Sequence, residues 1–100
     1  MNIWAPPEEA FSNLSFVRIC EWLRTHGWVC IEKADPSCSV FQYITEHGQP
    51  IQIRIPLKET SLEDYQIKFL LQVAVERAAE MEGVRGEGVY AILREWGYAG

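Results

Sequence analysis

"PIQIRIPLKETSLEDYQ", residues 50 to 66, decides the fold. Ile51, Ile53, Ile55 and Leu57 alternate with Gln52 and Arg54, a period of two that puts the apolar side chains on one face of a strand and the polar ones on the other. Pro56 lacks an N–H and suits an edge or a strand end. The period then changes. In "TSLEDYQIKFLLQVAVERAAEMEG", residues 60 to 83, Leu62, Tyr65, Phe69 and Val73 form one stripe at three- and four-residue steps, and Ile67, Leu70, Leu71, Ala74, Ala78 and Met81 form a second beside it. Ser61 followed by Asp64 is a relative of the capping box, and Gly83 stands where a left-handed C-cap belongs. The spacing predicts a helix of about twenty residues, roughly 30 Å long, with an unusually wide apolar surface.

Upstream, "FSNLSFVRICEWLRTHGW" carries Phe16, Ile19, Cys20 and Leu23 at helical spacing, with Arg18, Glu21 and Arg24 elsewhere and Gly27 as the cap, so an amphipathic helix ends near His26. "WVCIEKAD" reads as strand one, closed by the turn signal "DPSC", and "SVFQYIT" as strand two, joined through "EHGQP" to strand three. Short links make an antiparallel meander. "GEGVYAILREWG" places Val89, Ile92, Leu93 and Trp96 on a short last helix. The expected fold is α+β: a three-stranded antiparallel sheet with two helices on one face, in the order α-β-β-β-α, plus a short C-terminal helix. One domain spans residues 1–100, with a tail over 1–11, where Pro6 and Pro7 precede two acids in a helix entry, a core over 12–83 and a helical segment over 84–100.

Strand two is apolar on both faces, with Phe41 and Tyr43 on one and Val40 and Ile44 on the other, so burial of either leaves the opposite one uncovered unless the tail or the C-terminal segment lies over it. The expectation is that Trp28, Phe41 and Tyr43 stand on an exposed sheet face and Trp96 on the C-terminal segment, as rigid aromatic anchors for a partner.

The chain has 100 residues, is 48% hydrophobic, and carries a formal charge of -5, with nine basic residues spread almost evenly. Autonomous nucleic-acid binding needs clustered cations that displace counterions from phosphates, and this chain has no such cluster. Its acidity instead complements a basic protein partner. Cys20, Cys30 and Cys38 are an odd number of cysteines, and "MNIWAPPEEAF" has neither a basic nor an apolar leader region, which points to a cytoplasmic protein with reduced thiols. Charges at Glu63, Asp64, Lys68, Glu76, Arg77 and Glu80 exclude the long helix as a membrane span.

No chemistry-bearing motif emerges. The cysteines with His26 and His47 form no C-x-x-C or H-x-x-x-H pair, so no metal is expected, and Cys20 and Cys30 read as buried structural thiols. Cys38, in a turn, is the exception as a candidate exposed nucleophile with His26 or His47 as base. Glu32 with Asp35, and Glu76 with Glu80, read as solvated carboxylates, with Asp64 and Lys68 as an exposed i,i+4 pair. Gly86 and Gly88 lack the rest of a phosphate loop, and no cofactor is expected.

"LRTHGWVCIEKADPSCSVFQY", leading into a strand that ends in proline, resembles the small HicA-type mRNA interferase toxins and, in fold, double-stranded-RNA-binding domains, over roughly residues 16 to 57. In the toxins a Gly-Ser-His-His-like stretch at the start of the second strand supplies the catalytic histidine; here the positions read Pro36, Ser37, Cys38, Ser39, which argues against the nuclease activity. Residues 51 to 95 resemble the closing part of uncharacterised bacterial proteins through Ile55, Pro56 and Leu57, then Asp64 and Tyr65, then Ala79, Glu82 and Gly83. The function expected is a non-enzymatic protein-interaction subunit of a bacterial or phage system, binding a protein partner or itself through the sheet face, a strand edge or the long helix. A nucleic-acid-binding domain and a divergent HicA-like ribonuclease are the alternatives.

Overall fold

The computed structural model describes residues 8–31, 37–57 and 59–99. The expected helix entry at Pro6 and Pro7, the end of strand one and its turn at 32–36, and the carboxylates Glu32 and Asp35 lie outside them. After a single 3-10 turn, Glu8–Phe11, come α1 (Phe16–Thr25), β1 (Val29–Ile31), β2 (Cys38–Ile44), β3 (Pro50–Pro56), α2 (Asp64–Glu82) and α3 (Glu87–Glu95). The sheet is antiparallel in the order β1-β2-β3, the α+β arrangement that the sequence predicts.

Local chemistry sets the element ends. The Ser15 hydroxyl accepts the Arg18 N–H at 3.2 Å and caps α1. At the other end Gly27 takes φ +91°, and the Trp28 N–H donates to Leu23 O at 2.9 Å, a left-handed exit that turns the indole back under the helix. For α2 the cap sits two residues later than the Ser61–Asp64 pairing predicts: Gln66 Oε1 accepts the Glu63 N–H at 3.0 Å. Gly83 at φ +70° closes α2, with the Val84 N–H on Ala79 O, as its glycine predicts.

The β2–β3 register decides which way the aromatics face. Phe41 pairs with Ile53, Tyr43 with Ile51 and Ser39 with Ile55, so these side chains share one sheet face, and α2 packs over it. Ile53, Ile55 and Phe41 are buried there, while Gln52 and Arg54 are exposed on the other face as predicted. The expected aromatic sheet face is therefore corrected: Phe41 is 0% and Trp28 2% exposed, and Tyr43, half-buried, packs its ring 5.3 Å from the Trp28 ring. The outward face holds Val29, Gln42 and Ile44 opposite or beside Gln52 and Arg54, and Val40, on the same face, is nonetheless buried at 2% exposed. Gln52 Nε2 donates to Gln42 Oε1 across it at 2.9 Å.

Trp96 is corrected as well, being 0% exposed. Val89, Ile92, Leu93 and Trp96 join the same apolar cluster as Ile19, Leu23, Phe41 and Val75, and so do Ala10 and Phe11 from the stretch expected as a tail. Polar contacts fasten the C-terminal segment to α1: the Ser15 N–H donates to Trp96 O at 2.8 Å, Trp22 Nε1 to Glu95 Oε2 at 2.9 Å, and Arg18 Nη2 to Arg94 O at 3.3 Å. Truncating a fully buried aromatic removes its transfer energy and leaves a cavity, at about 3–5 kcal/mol. Trp96→Ala is accordingly expected to lower the unfolding free energy in urea by as much as Phe41→Ala does; an unchanged midpoint for Trp96→Ala would mean that residues 84–99 fold apart from the sheet.

Candidate protein-interaction surface

With Trp28, Phe41 and Trp96 committed to the core, a different pair of rings faces water. Tyr65 is 71% and Phe69 64% exposed, and they are the two exposed aromatics among the described residues. They sit one helical turn apart on α2 and so share its outer face, with half-buried Val73 a further turn along. The helix cannot bury both of its apolar stripes: Leu71, Ala74, Val75, Ala78 and Ala79 point into the core, and Tyr65 and Phe69 lie away from it. The same outer face carries exposed Gln72, Glu76 and Glu80, with Gln72 Nε2 donating to Glu76 Oε1 at 3.3 Å.

The sequence showed the stripe through Tyr65 and Phe69 but gave it no priority over the aromatics of the sheet. The distinguishing signal was the width of the apolar surface. A helix with a single neighbouring layer buries one arc, so one of the two stripes was surplus.

The strand edge is a poorer docking surface. The Leu57 N–H bonds Ser37 O and Gln49 O receives the Thr45 N–H, so odd-numbered residues of β3 turn their backbone groups toward β2 and even-numbered ones outward. Pro50 and Pro56 occupy two of the outward positions and have no N–H to contribute, which shortens any row that another strand could pair with.

The concavities hold little that could carry a reaction. A cleft of about 370 Å³ between α1, the end of β3 and α2 is lined by Phe16, Val17, Leu57, Ile67 and Leu71, with Ser12, Ser15 and Thr60 as its polar residues, and no titratable side chain borders it among the described residues. A second, near the β2–β3 turn, gathers Tyr43, Glu46, His47 and Glu80. The His47 and Glu46 side chains there are 86% and 90% exposed and 4.0 Å apart, so solvent rather than the fold sets their positions, and general acid–base catalysis needs positioned groups. Among the described residues no group of three or more His, Cys, Asp and Glu is arranged to hold a metal ion.

Two of the three thiols, Cys30 and Cys38, reverse the expected pattern, and Cys20 follows it. Cys38 is buried at the start of β2 opposite Pro56, and Cys30 is exposed because three-residue β1 is an edge strand. Cys20 is buried, and desolvation pushes its thiol up to about 11, against a smaller opposing pull from Arg24. A thiolate is the nucleophile in sulfur chemistry, so Cys20 is inert near neutrality. Two indole N–H groups, Trp28 Nε1 and Trp96 Nε1, are buried without an acceptor, which costs about 1–3 kcal/mol each by general experience with unpaired donors and marks both rings as volume for the core.

Two outcomes follow for the thiols. In the folded protein at pH 8, Cys30 alone is expected to react rapidly with a disulfide reagent, all three reacting in denaturant; rapid labelling of Cys38 instead would contradict its burial. Because the Cys20 pKa is higher folded (about 11) than unfolded (9.0), its contribution to stability is intact below pH 9 and is lost as pH rises toward 11. The fall in unfolding midpoint over that window should be smaller in Cys20→Ala than in the unaltered chain; an identical fall would exclude Cys20 as a source.

Comparison with protein-family models, with curated proteins and with solved structures finds no match to this chain.

Proposed function

We propose that this chain is a non-enzymatic protein-interaction subunit that holds its partner on the outer face of α2. The observation that carries the reading is the exposure of Tyr65 and Phe69, one turn apart, on a helix capped at both ends, by the Gln66 side chain at Glu63 and by Gly83. Burying a large aromatic removes about 150–250 Å² from water, which makes such rings the usual energetic centres of interfaces. α2 is also pre-organised, since its inner face is part of the core, so binding there orders little new backbone.

The sheet face and edge support docking less. Outward-facing Val29 and Ile44 are exposed apolar residues, but polar Gln42, Gln52 and Arg54 stand among them. The bacterial or phage setting is proposed on the sequence resemblances alone. A cytoplasmic location is proposed from the odd number of cysteines, three, which suits a reducing compartment, together with the finding that no helix among the described residues is long and apolar enough to cross a membrane. Nucleic-acid binding draws support from element order only, and the net charge of -5 opposes it.

The test is affinity co-purification of the tagged full chain from its own cells after nuclease treatment, in parallel with two double variants. Tyr65→Ser/Phe69→Ser is expected to keep its circular dichroism spectrum, since both rings are surface residues, and to lose co-purifying protein at least tenfold. Val29→Ser/Ile44→Ser should retain it. The opposite pattern would move the interface to the sheet.

A further inference from the structure

We infer that the occupant of the α2 surface is a basic amphipathic segment of a partner protein rather than a second copy of this chain, an inference that rests on the docking reading above. The outer face of α2 changes character along its length. Tyr65 and Phe69 occupy its first half, and Glu76 and Glu80, seven and eleven residues beyond Phe69, occupy the same side of its second half. At 1.5 Å per residue these carboxylates lie about 10 and 16 Å along the axis from the Phe69 ring. Glu80 also stands on the rim of two shallow clefts, one shared with Glu76 toward α3 and one shared with Glu46 at the β2–β3 turn, so three carboxylates flank the end of the apolar stripe. The cations nearby are Arg77, next to Glu76 in sequence, and Arg85, across the cleft toward α3; Lys68 belongs to the first half of the helix.

A partner that satisfies this face carries apolar side chains at one end and Lys or Arg about 10–16 Å further on, which is seven to eleven residues of helix or three to five of extended chain. A second copy does not. Parallel pairing of two α2 helices sets Glu76 and Glu80 against their own counterparts. Antiparallel pairing centred on Phe69 sets Glu76 opposite Leu62 and carries Glu80 past the start of the other copy's α2, so neither carboxylate meets a cation of that helix. The first arrangement sets like charges against each other and the second leaves them unmatched, on a chain already at -5.

The experiment titrates the ¹⁵N-labelled full chain with a synthetic amphipathic helical peptide of Leu and Lys, its lysines grouped at one end, and with the matched peptide bearing Glu in place of Lys. The Lys peptide is expected to perturb amides across residues 65–80 and to bind at least tenfold more tightly than the Glu peptide, by a margin that shrinks with salt. Glu76→Lys/Glu80→Lys should reverse the preference, whereas Glu9→Lys/Glu21→Lys, with the same change in net charge, should leave it in place. Equal binding of the two peptides, or a preference unmoved by Glu76→Lys/Glu80→Lys, would overturn the inference. A dimer in sedimentation equilibrium that Tyr65→Ser/Phe69→Ser dissociates would overturn the basic-segment inference while upholding α2 as the docking surface, and binding indifferent to Tyr65→Ser/Phe69→Ser would overturn both.

Discussion

The pairing of Phe41 with Ile53 is the contact from which the rest of the molecule follows. Side chains alternate along a strand, so this pair commits Ser39, Phe41 and Tyr43 to the face already claimed by Ile51, Ile53 and Ile55 and turns Val40, Gln42 and Ile44 outward. Shifting β2 by one residue would exchange the two sets. The sheet would then present Phe41 and Tyr43 to water and offer an aromatic docking face, while Val40 and Gln42 met α2. In the observed register Trp28, turned inward by Gly27, packs on Tyr43, and the face toward the helices is apolar apart from Ser39 and the Tyr43 hydroxyl.

That commitment moves the question of function from the sheet to a helix. Once α2 has placed Leu71, Ala74, Val75 and Ala78 on the sheet and α3, its stripe through Tyr65 and Phe69 has no layer left to meet among the described residues. Tyr65 and Phe69 are left in water, at a cost in exposed apolar surface that a partner would recover. β3 shows the contrary treatment. Pro50 and Pro56 bracket an edge that would otherwise invite another strand, so one surface is blunted and another is left apolar.

Much of the fold was legible because it is written in local periodicity. The alternation at Ile51, Ile53 and Ile55, the glycine stops at Gly27 and Gly83 and the helical spacing of Val89, Ile92, Leu93 and Trp96 each report a property of the chain within one element. The misplaced site residues share another origin. β2 is apolar on both faces, so no residue within it says which face is covered, and that parity is fixed by pairing across the Thr45–Gln49 turn. The thiols were misread for a related reason: Cys30 points to the same face as Phe41 but lies on a three-residue edge strand where cover runs out, and Cys38 is shielded at the far end of β2 opposite Pro56. Trp96 was misjudged because short helices give no sign of whether they return to the chain, and the bonds from Ser15, Arg18 and Trp22 that bring it back come from residues 73 to 81 positions away.

The burial of the sheet's aromatics therefore depends on the β2–β3 register, and nuclear Overhauser contacts between α-protons read it directly. In antiparallel sheets the α-protons of the pairs that exchange no hydrogen bonds lie closest, and here those include Val40 with Arg54 and Gln42 with Gln52. Strong contacts between the α-protons of these two pairs are the predicted result, with Phe41 and Tyr43 turned toward α2. Contacts displaced by one residue, such as Phe41 with Arg54, would turn the aromatics of β2 to solvent and return the binding surface to the sheet.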